Sequence, residues 1–375
     1  MHNKKFFLRK VLLLPVAMIY GLITFLRNRL FDHNILKSQE FDIPVISVGN
    51  INVGGTGKTP HIEYLVSILK KDFRIAVLSR GYKRKTHGFV IASNESTVYD
   101  IGDEPRQIKN KFPEIEVAVD EKRARGIQKL IEGYKNLNLI LLDDAYQHRF
   151  VKPGISILLI DYSYPLYLDH LFPYGRLRES RHEKHRANII LITKSPEFIK
   201  PIDKRILIKN IQPFPYQTIY FTSFRYSQPI PVFENIQNTV SYELIQNSNY
   251  KALLVTGIAN PAPLLVFLRK YCRTISHITF HDHHRFSTND ISKITLSYEA
   301  IHSEHKIILT TEKDAMRFRD LPDNKVLTNL PVYFISLEVQ FLNGEKRQFD
   351  KQIIDYVRKN KRHGILHSKQ AGVQP

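Results

Sequence analysis

Short runs of apolar residues recur along the first half of the chain, and each ends in a polar or glycine-containing turn. Six of them have the pattern of buried strands: "PVISVG", "FRIAVLSRG", "EIEVAVD", "LNLILLDDA", "ISILLID" and "NIILITK". Helix-like segments separate these runs, which is typical of an α/β protein with a mainly parallel sheet. Because ligands collect at the carboxyl ends of parallel strands, we expect the chemistry of the chain where these runs end.

The pattern changes after about Gln212. The segment "YQTIYFTSFRYSQPIPV" alternates polar and apolar residues in the manner of an exposed β-ribbon. A second α/β cycle follows in "KALLVTGIANPAPLLVFLRKY" and "HKIILTTEKDAMRF", and "VYFISLEVQF" has the pattern of a last strand before a basic helix. We therefore predict a second, smaller α/β domain, and we expect the C-terminal tail to fray.

A glycine-rich turn stands between the first strand and an amphipathic helix, in "VISVGNINVGGTGKTPHIEYLVSILKK". Such a P-loop presents backbone N–H groups at a helix N-terminus, where phosphates bind. Lys58 would contact the β- and γ-phosphates, and the Thr59 hydroxyl would bind Mg²⁺. Asn52 stands where the usual pattern has glycine, so an ordinary glycine-rich turn is the alternative. The predicted nucleotide-binding residues are Asn52, Val53, Gly54, Gly55, Thr56, Gly57, Lys58 and Thr59.

The charge of the chain limits its partners. Its 375 residues include 55 Lys and Arg against 36 Asp and Glu, a formal net charge of +19. This charge suits a polyanion, an anionic membrane surface or a phosphorylated substrate. A nucleic-acid binder is disfavoured, because the aromatic residues show no stacking pattern and no recognised motif occurs. The single cysteine, Cys272, excludes an internal disulfide framework and fits a reducing compartment.

The N-terminal segment contains an uncharged run, "VLLLPVAMIYGLITFL", between Lys10 and Arg27. The run is short for a full membrane span, which takes about 20 residues. No small-residue cleavage site follows it, which disfavours a signal peptide. We predict a helix that lies in or dips into the cytoplasmic leaflet, with a packed core helix as the alternative. The basic residues that would meet anionic lipid are Lys4, Lys5, Arg9, Lys10, Arg27 and Arg29.

Two further strand ends carry acidic residues. In "LNLILLDDAYQHRF", Asp143 and Asp144 follow an apolar strand, where carboxylates of the Walker-B type hold Mg²⁺; caps of the next turn are the alternative. His148 would bind a substrate phosphate or lie on the surface. In "YDIGDEPRQIKNKF", Asp103 precedes an apparent helix. It would cap that helix, or it would accept the proton of a substrate hydroxyl during phosphoryl transfer.

A histidine cluster occurs in "ITFHDHHRFS", with His281, Asp282, His283 and His284. Zinc binding is the weaker interpretation, because no second His or Cys cluster with ligand spacing supports it. The favoured interpretation is that one histidine pairs with an acid from the first domain, which would provide a base near neutral pH.

Taken together, the motifs resemble those of the tetraacyldisaccharide 4'-kinase family, the lipid A kinases of Gram-negative bacteria. The resemblance covers nearly the whole chain in order, through "SVGNINVGGTGKTP", "SRGY", "GDEP", "LLDDAYQHR", "PYGRLRES", "LITK", "VTGIANP", "FHDHHRF" and "LTTEKDAMRF". Asn52 is ordinary in that family. Ala145 and the "RES" triplet depart from its usual pattern without removing a functional side chain.

The resemblance implies transfer of the γ-phosphate of ATP to the 4'-hydroxyl of an acylated glucosamine disaccharide 1-phosphate, with Mg²⁺, at the cytoplasmic face of the inner membrane. It implies that Asp103 and His283 form a proton-accepting pair, although the motif leaves His283 and His284 open as the histidine. It also implies two α/β domains joined by a two-stranded β linker, to which "TIYFTSFRY" and "VYFISLEVQF" would contribute. No protein partner is predicted.

The predicted domains are an N-terminal membrane-associated helix at 1–35, a P-loop kinase domain at 36–215, a β linker at 216–235, a C-terminal α/β domain at 236–330, and a returning strand with a helix and tail at 331–375. The predicted catalytic residues are Asp103, His283 and Lys58, and the predicted metal ligands are Thr59, Asp143 and Asp144. The candidate substrate-binding residues are Arg80, Arg123, His148, Arg178, Glu179 and His284.

Two other classes of protein explain parts of the sequence. A soluble P-loop kinase of a small metabolite would account for the nucleotide motifs but would leave the N-terminal helix without a role. A membrane-anchored nucleotide-binding module without catalytic activity would account for the P-loop, the charge and the helix. It would not need "GDEP" or "DHH".

Overall fold

The computed structural model describes residues 2–236, 238–321 and 325–370, and within these ranges the side chains of residues 13–360. The side chains of the predicted basic flank at Lys4, Lys5, Arg9 and Lys10 lie outside the described residues, as does the end of the tail at 371–375 that was expected to fray.

The strands of the described ranges belong to two sheets. The first sheet contains β1 Val45–Gly49, β2 Ile75–Ser79, β3 Val90–Ile91, β4 Glu116–Val119, β5 Leu139–Asp143, β6 Ile155–Asp161, β7 Ile189–Thr193, β8 Thr218–Tyr226 and β14 Leu337–Phe341. The second contains β9 Ile230–Pro231, β10 Lys251–Thr256, β11 Thr274–Thr279, β12 Lys306–Thr311 and β13 Val332–Ile335. The helices are α1 His2–Asp32, α2 Lys58–Leu69, α3 Val98–Ile101, α4 Asp103–Lys111, α5 Arg123–Gly133, α6 Pro201–Ile211, α7 Tyr242–Asn247, α8 Ala262–Leu268, α9 Thr288–Glu299, α10 Glu312–Arg319, α11 Lys325–Thr328 and α12 Lys346–Gln370.

The first sheet is mainly parallel. Within the described ranges it has nine strands in the order β14-β8-β7-β6-β1-β5-β2-β4-β3, with antiparallel pairs only at its two edges. The six runs predicted as strands form β1, β2, β4, β5, β6 and β7, which confirms the predicted fold class. Val48 pairs with Asp143, so the turns that follow β1 and β5 lie side by side at the carboxyl edge.

Helices cover both faces of this sheet. One face packs against α2, α4 and α12, through residues such as Ile62, Ile108 and Ile353. The other packs against α5 and α6, through residues such as Ile127 and Leu207. Because both faces are covered, the central strands are buried at every residue and have the continuous apolar sequences from which they were predicted.

The two segments predicted as linker strands are arranged differently in the structure from the prediction. β8 is not an exposed ribbon, because it pairs in parallel with β7 and its middle residues are buried. The run "VYFISLEVQF" divides into β13, which pairs with β12 in the second sheet, and β14, which pairs with β8 in the first. The chain therefore passes between the two sheets twice, after β8 and after β13. The exact domain boundaries remain predictions.

Helix α1 lies along the first sheet's domain from about residue 17 onward. Its least exposed side chains recur every three or four residues, and they are Ala17, Tyr20, Thr24, Arg27, Asn28 and Phe31. The Phe31 ring lies edge-on to Phe150 with 5.0 Å between ring centroids. The stretch Leu13–Asp32 is long and apolar enough to cross a membrane, and only 11% of its most apolar part is buried.

Candidate active site

The turn between β1 and α2 has the geometry of a phosphate-binding loop. Gly57 precedes α2 with φ 89°, a left-handed conformation that favours glycine, and the Phe224 ring of β8 lies where a Cβ would stand. A Cβ built on Gly54 or Gly55 would meet no described atom within 4 Å. The loop is therefore open in front of the N–H groups that begin α2, where a phosphate would bind.

Asn52 fits this loop although the usual pattern has glycine there. The residue does not have a positive φ, so the position does not require glycine. Asn52 bridges to Leu177, and its Nδ2 donates to Asp169 Oδ2 at 3.3 Å. On the other side of the loop, Asn50 Nδ2 donates to Thr56 Oγ1 at 3.0 Å. These contacts hold the loop from both sides.

Two adjacent carboxylates lie beside the loop at the end of β5. Asp143 is buried, and its Oδ2 accepts a hydrogen bond from Ser79 Oγ at 3.2 Å. Its Oδ1 has no hydrogen-bond partner among the described residues. Asp144 lies between Lys58 Nζ and the Arg178 guanidinium, each 3.5 Å from one of its oxygens. A buried carboxylate oxygen without a partner next to a P-loop is the kind of ligand that Mg²⁺ prefers.

The two carboxylates differ in their electrostatics. Burial, followed by the negative charges of Asp144 and Glu104, raises the pKa of Asp143 to about 6. Burial also disfavours ionised Asp144, but the positive charges of Lys58 and Arg178 outweigh it and lower the pKa of Asp144.

Replacing Asp143 is expected to stabilise the protein in the absence of metal and nucleotide. Because the folded-state pKa of Asp143 lies above its ordinary value of 3.8, folding favours the neutral acid. The neutral carboxyl makes its full contribution to the stability of the folded protein below pH 4. This contribution is lost as the pH rises through about 6 and the carboxyl ionises. Two pKa units correspond to about 3 kcal/mol. Asp143→Asn should therefore raise the melting temperature by several degrees at pH 8, with a gain that shrinks toward pH 4.

Thermal unfolding of both proteins across this pH range measures the effect. Asp161→Asn is the matched control, since Asp161 is also a buried carboxylate at a strand end but pairs with Lys194 at 2.7 Å. This control should gain no stability at pH 8. A gain for Asp143→Asn that did not depend on pH would contradict the assignment to ionisation.

Asp103, the first residue of α4, contacts His283 of the second domain. His283 Nδ1 donates to Asp103 Oδ2 at 2.7 Å. Arg317 of α10 donates to both oxygens of the same carboxylate, at 3.2 and 2.6 Å. Lys313 Nζ, also on α10, donates to His283 Nε2 at 3.1 Å and to Glu104 Oε1 at 2.8 Å. These side chains form one network between the two domains.

The charges of this network keep Asp103 ionised and orient the imidazole. Burial favours the neutral acid, but the hydrogen bonds from His283 and Arg317 outweigh burial and hold the pKa of Asp103 well below its usual range. Because the Lys313 ammonium can only donate, Nε2 of His283 is the acceptor nitrogen and Nδ1 carries the proton. His283 has φ 58°, an uncommon conformation for a residue other than glycine that clusters at functional sites.

Comparison with known proteins identifies the family. A family model described as tetraacyldisaccharide-1-P 4'-kinase, LpxK, matches residues 9–358 of the chain. The chain belongs to the tetraacyldisaccharide 4'-kinase family. The family resemblance inferred from the sequence motifs is therefore confirmed.

Relatives in the tetraacyldisaccharide 4'-kinase family match over nearly their whole length. The chain is 46% identical over 364 residues to a tetraacyldisaccharide 4'-kinase of Bacteroides thetaiotaomicron, covering 96% of each chain. It is 47% identical over 353 residues to one of Phocaeicola vulgatus, covering 94% of this chain and 96% of the relative. It also resembles the crystal structure of an "apo" form of LpxK from Aquifex aeolicus in complex with ATP. The TM-score is 0.72 at 26% identity, with 93% of this chain and 99% of that chain covered.

The candidate substrate-binding residues of this tetraacyldisaccharide 4'-kinase family member differ in accessibility. Arg80 is exposed, and Arg178 lies beside Asp144. Burial, followed by the charges of Arg123 and Arg80, lowers the pKa of His148 to about 4, so its imidazole is neutral near pH 7. Arg123 is only 2% exposed and donates to the backbone carbonyl of Asp143 at 3.3 Å, so it is buried beside the acidic pair. The substrate roles remain predictions.

The histidine cluster is divided between two partners. His283 contacts Asp103, whereas His284 Nε2 hydrogen-bonds Asp290 Oδ2 at 3.0 Å and its ring stacks on Phe280. The structure therefore distinguishes between the two adjacent histidines that the sequence motif left as alternatives. His283, and not His284, lies next to the carboxylate of the first domain.

Sequence reasoning did not single out Glu104, Lys313 and Arg317. Lys313 and Arg317 are four residues apart on α10, which begins where the buried strand β12 ends, so they share one side of the helix. The segment "LTTEKDAMRF" could have indicated them, because its charged residues directly follow an apolar strand, where functional residues collect. Nothing in the sequence showed that this strand end would meet Asp103.

Helix α1 contacts the segment of the first domain that carries Arg178 and Glu179. Asn28 Nδ2 donates to Glu179 Oε1 at 3.3 Å, and Tyr20 Oη donates to the Arg178 carbonyl at 2.8 Å. Glu179 is 2% exposed and also pairs with Arg186. The candidate residue Glu179 thus connects α1 to the segment that carries Arg178.

Proposed function

We propose that the chain is a kinase that transfers the γ-phosphate of ATP to the 4'-hydroxyl of an acylated glucosamine disaccharide 1-phosphate, a lipid A precursor. The hydrogen bond between His283 Nδ1 and Asp103 Oδ2 carries the proposal. A module that only binds nucleotide does not need an ionised carboxylate to orient an imidazole from another domain. Membership of the tetraacyldisaccharide 4'-kinase family supports the choice of acceptor.

The residues of the P-loop would bind the nucleotide. The N–H groups of residues 53–59 would donate to the phosphates, and Lys58 would neutralise charge on the β- and γ-phosphates. Thr59, Asp143 and Asp144 would hold Mg²⁺, which when bound neutralises charge on the transferring phosphoryl group. Arg178 would add a second positive charge, since its guanidinium already lies beside Asp144.

Asp103 and His283 would accept the proton of the sugar hydroxyl. His283 Nε2 is the acceptor nitrogen, and Lys313 Nζ donates to it at 3.1 Å in this structure. The substrate hydroxyl would replace the Lys313 ammonium as the donor to Nε2. The proton would move to Nε2, and ionised Asp103 would stabilise the imidazolium that forms. Arg317 would keep Asp103 fixed during this step, since it holds both carboxylate oxygens.

Helix α1 would bring this site to the cytoplasmic face of the inner membrane. Its outer side is apolar, which is not expected for a helix packed on a soluble domain. Its inward side makes polar contacts through Tyr20, Arg27 and Asn28. The exposed apolar residues on its outer side are Leu14, Val16, Met18, Ile19, Leu22, Ile23, Phe25, Leu26 and Leu30. An exposed apolar surface of this size favours contact with lipid.

A transfer assay tests the proposed reaction. Full-length protein is incubated with γ-labelled ATP and either the acylated disaccharide 1-phosphate or the same lipid methylated on its 4'-oxygen. We expect label in the first lipid, released by hydrolysis of a 4'-phosphate, and none in the methylated lipid. Label in both lipids would place the acceptor elsewhere. ATP hydrolysis without lipid labelling would favour the nucleotide-binding module, and equal transfer to a deacylated disaccharide would favour a soluble kinase.

A further inference from the structure

A second group of exposed apolar side chains lies next to α1. In the segment between β6 and β7, Leu168 is 70% exposed and Phe172 is 46% exposed. The Phe172 ring is edge-on to Tyr20 of α1 with 6.0 Å between centroids. Leu171 lies so close to Gly21 that a Cβ there would be 2.6 Å from Leu171 Cδ1. The outer surface of α1 therefore continues onto this segment.

Helix α6 extends the same surface. Leu207 and Ile211 pack into a buried cluster with Leu166, and Leu171 packs against that cluster. Ile202 and Ile206 are one turn apart on the opposite side of α6, and they are exposed, as is Phe198 just before the helix. Helix α6 also contacts the turn at Leu166–Leu168 directly, so the exposed Leu168 and the exposed apolar residues of α6 lie on adjoining elements.

The charges around α6 are mixed with a positive excess. Lys200, Arg205 and Lys209 are exposed, against the exposed acids Glu197 and Asp203. Apolar side chains rimmed by lysine and arginine are typical of surfaces that enter the headgroup region of an anionic bilayer. A protein partner would explain the apolar residues equally well, but not their continuity with the outer side of α1.

We propose that Leu168, Phe172, Phe198, Ile202 and Ile206 form a second bilayer-contacting surface, which inserts into the cytoplasmic leaflet beside α1. This inference rests on the proposed membrane attachment through α1. Two contacts on different elements fix the orientation of the domain to the bilayer, which a single helix does not. The P-loop edge would then be held at a constant height above the lipid headgroups.

The chain contains no tryptophan, so a single introduced tryptophan reports its own surroundings. Leu168→Trp and Phe198→Trp test the proposed surface, and Leu22→Trp tests α1. Leu296→Trp is the matched control, because Leu296 is 67% exposed on α9 of the second domain. Each full-length variant is mixed with vesicles of phosphatidylcholine and phosphatidylglycerol that contain a brominated acyl chain. We expect a blue shift and quenching for Leu168→Trp, Phe198→Trp and Leu22→Trp, and neither for Leu296→Trp.

The outcomes separate this inference from the proposed function. If Leu22→Trp is quenched while Leu168→Trp and Phe198→Trp are not, the second surface is wrong and the attachment through α1 stands. If Leu22→Trp is also unquenched, the attachment itself fails and the inference fails with it. As an independent measure, the combined variant Leu168→Asp, Phe198→Asp and Ile202→Asp should bind these vesicles about tenfold or more weakly. Unchanged vesicle affinity for this variant would overturn the proposal.

Discussion

Replacing both Asp103 and His283 is expected to lower kcat scarcely more than replacing either one. Each single change, Asp103→Asn or His283→Gln, should reduce kcat about 10²- to 10⁴-fold, the usual contribution of a positioned base. The structure supports one unit, because Asp103 acts through the imidazole that it orients at 2.7 Å. Losing either member therefore removes the same function, so the two losses do not multiply.

The KM for ATP should change little in these variants, because the pair serves the hydroxyl and not the nucleotide. Asparagine is chosen for Asp103 because alanine would remove both hydrogen bonds that the buried Arg317 guanidinium donates to this carboxylate and would destabilise the protein. The measurement is a double-mutant cycle in kcat at saturating ATP, with melting temperatures to confirm folding. His302→Gln, at a histidine of the second domain outside this network, is the control. Losses that multiply would show independent roles and refute the pair.

Lys58→Ala is expected to lower kcat about 10²- to 10³-fold, the usual cost of removing one group that stabilises transition-state charge. Lys58 is the first residue of α2, directly after Gly57, and its Nζ lies 3.5 Å from Asp144 Oδ1. The ammonium is therefore held at the mouth of the loop where charge develops on the transferring phosphoryl group. The fold should remain intact, because Asp144 keeps its contact with Arg178 at 3.5 Å.

Steady-state transfer rates at saturating ATP and lipid measure this effect. Lys70→Ala is the matched control, since Lys70 caps the other end of α2 and pairs with Glu114 at the surface. Lys58→Arg should recover part of the rate if charge alone matters, although its planar group differs in shape. Wild-type rates from a folded Lys58→Ala protein would show that the loop does not perform the proposed chemistry.

Local pattern was enough for the elements that carry the P-loop. Parallel strands covered on both faces must be apolar throughout, so β1, β2, β5, β6 and β7 could be located from composition. The loop and its lysine follow from residues adjacent in sequence. The place of β8 in the first sheet could not be predicted in this way. Its alternating polar and apolar residues do not show that one of its edges pairs with β7.

The central strands, the phosphate-binding loop, the family motifs and the acids at the strand ends could be predicted from the sequence, because each depends on residues within a few positions of one another. The tertiary structure was needed to show which histidine meets Asp103, since the two residues are 180 positions apart in the sequence and come from different domains. It also brought Arg317 and Lys313 to that pair. Likewise, the apolar sequence of a core helix does not differ from that of a helix that faces lipid. Only the packing of Tyr20 and Asn28 inward could show that the apolar side of α1 faces outward.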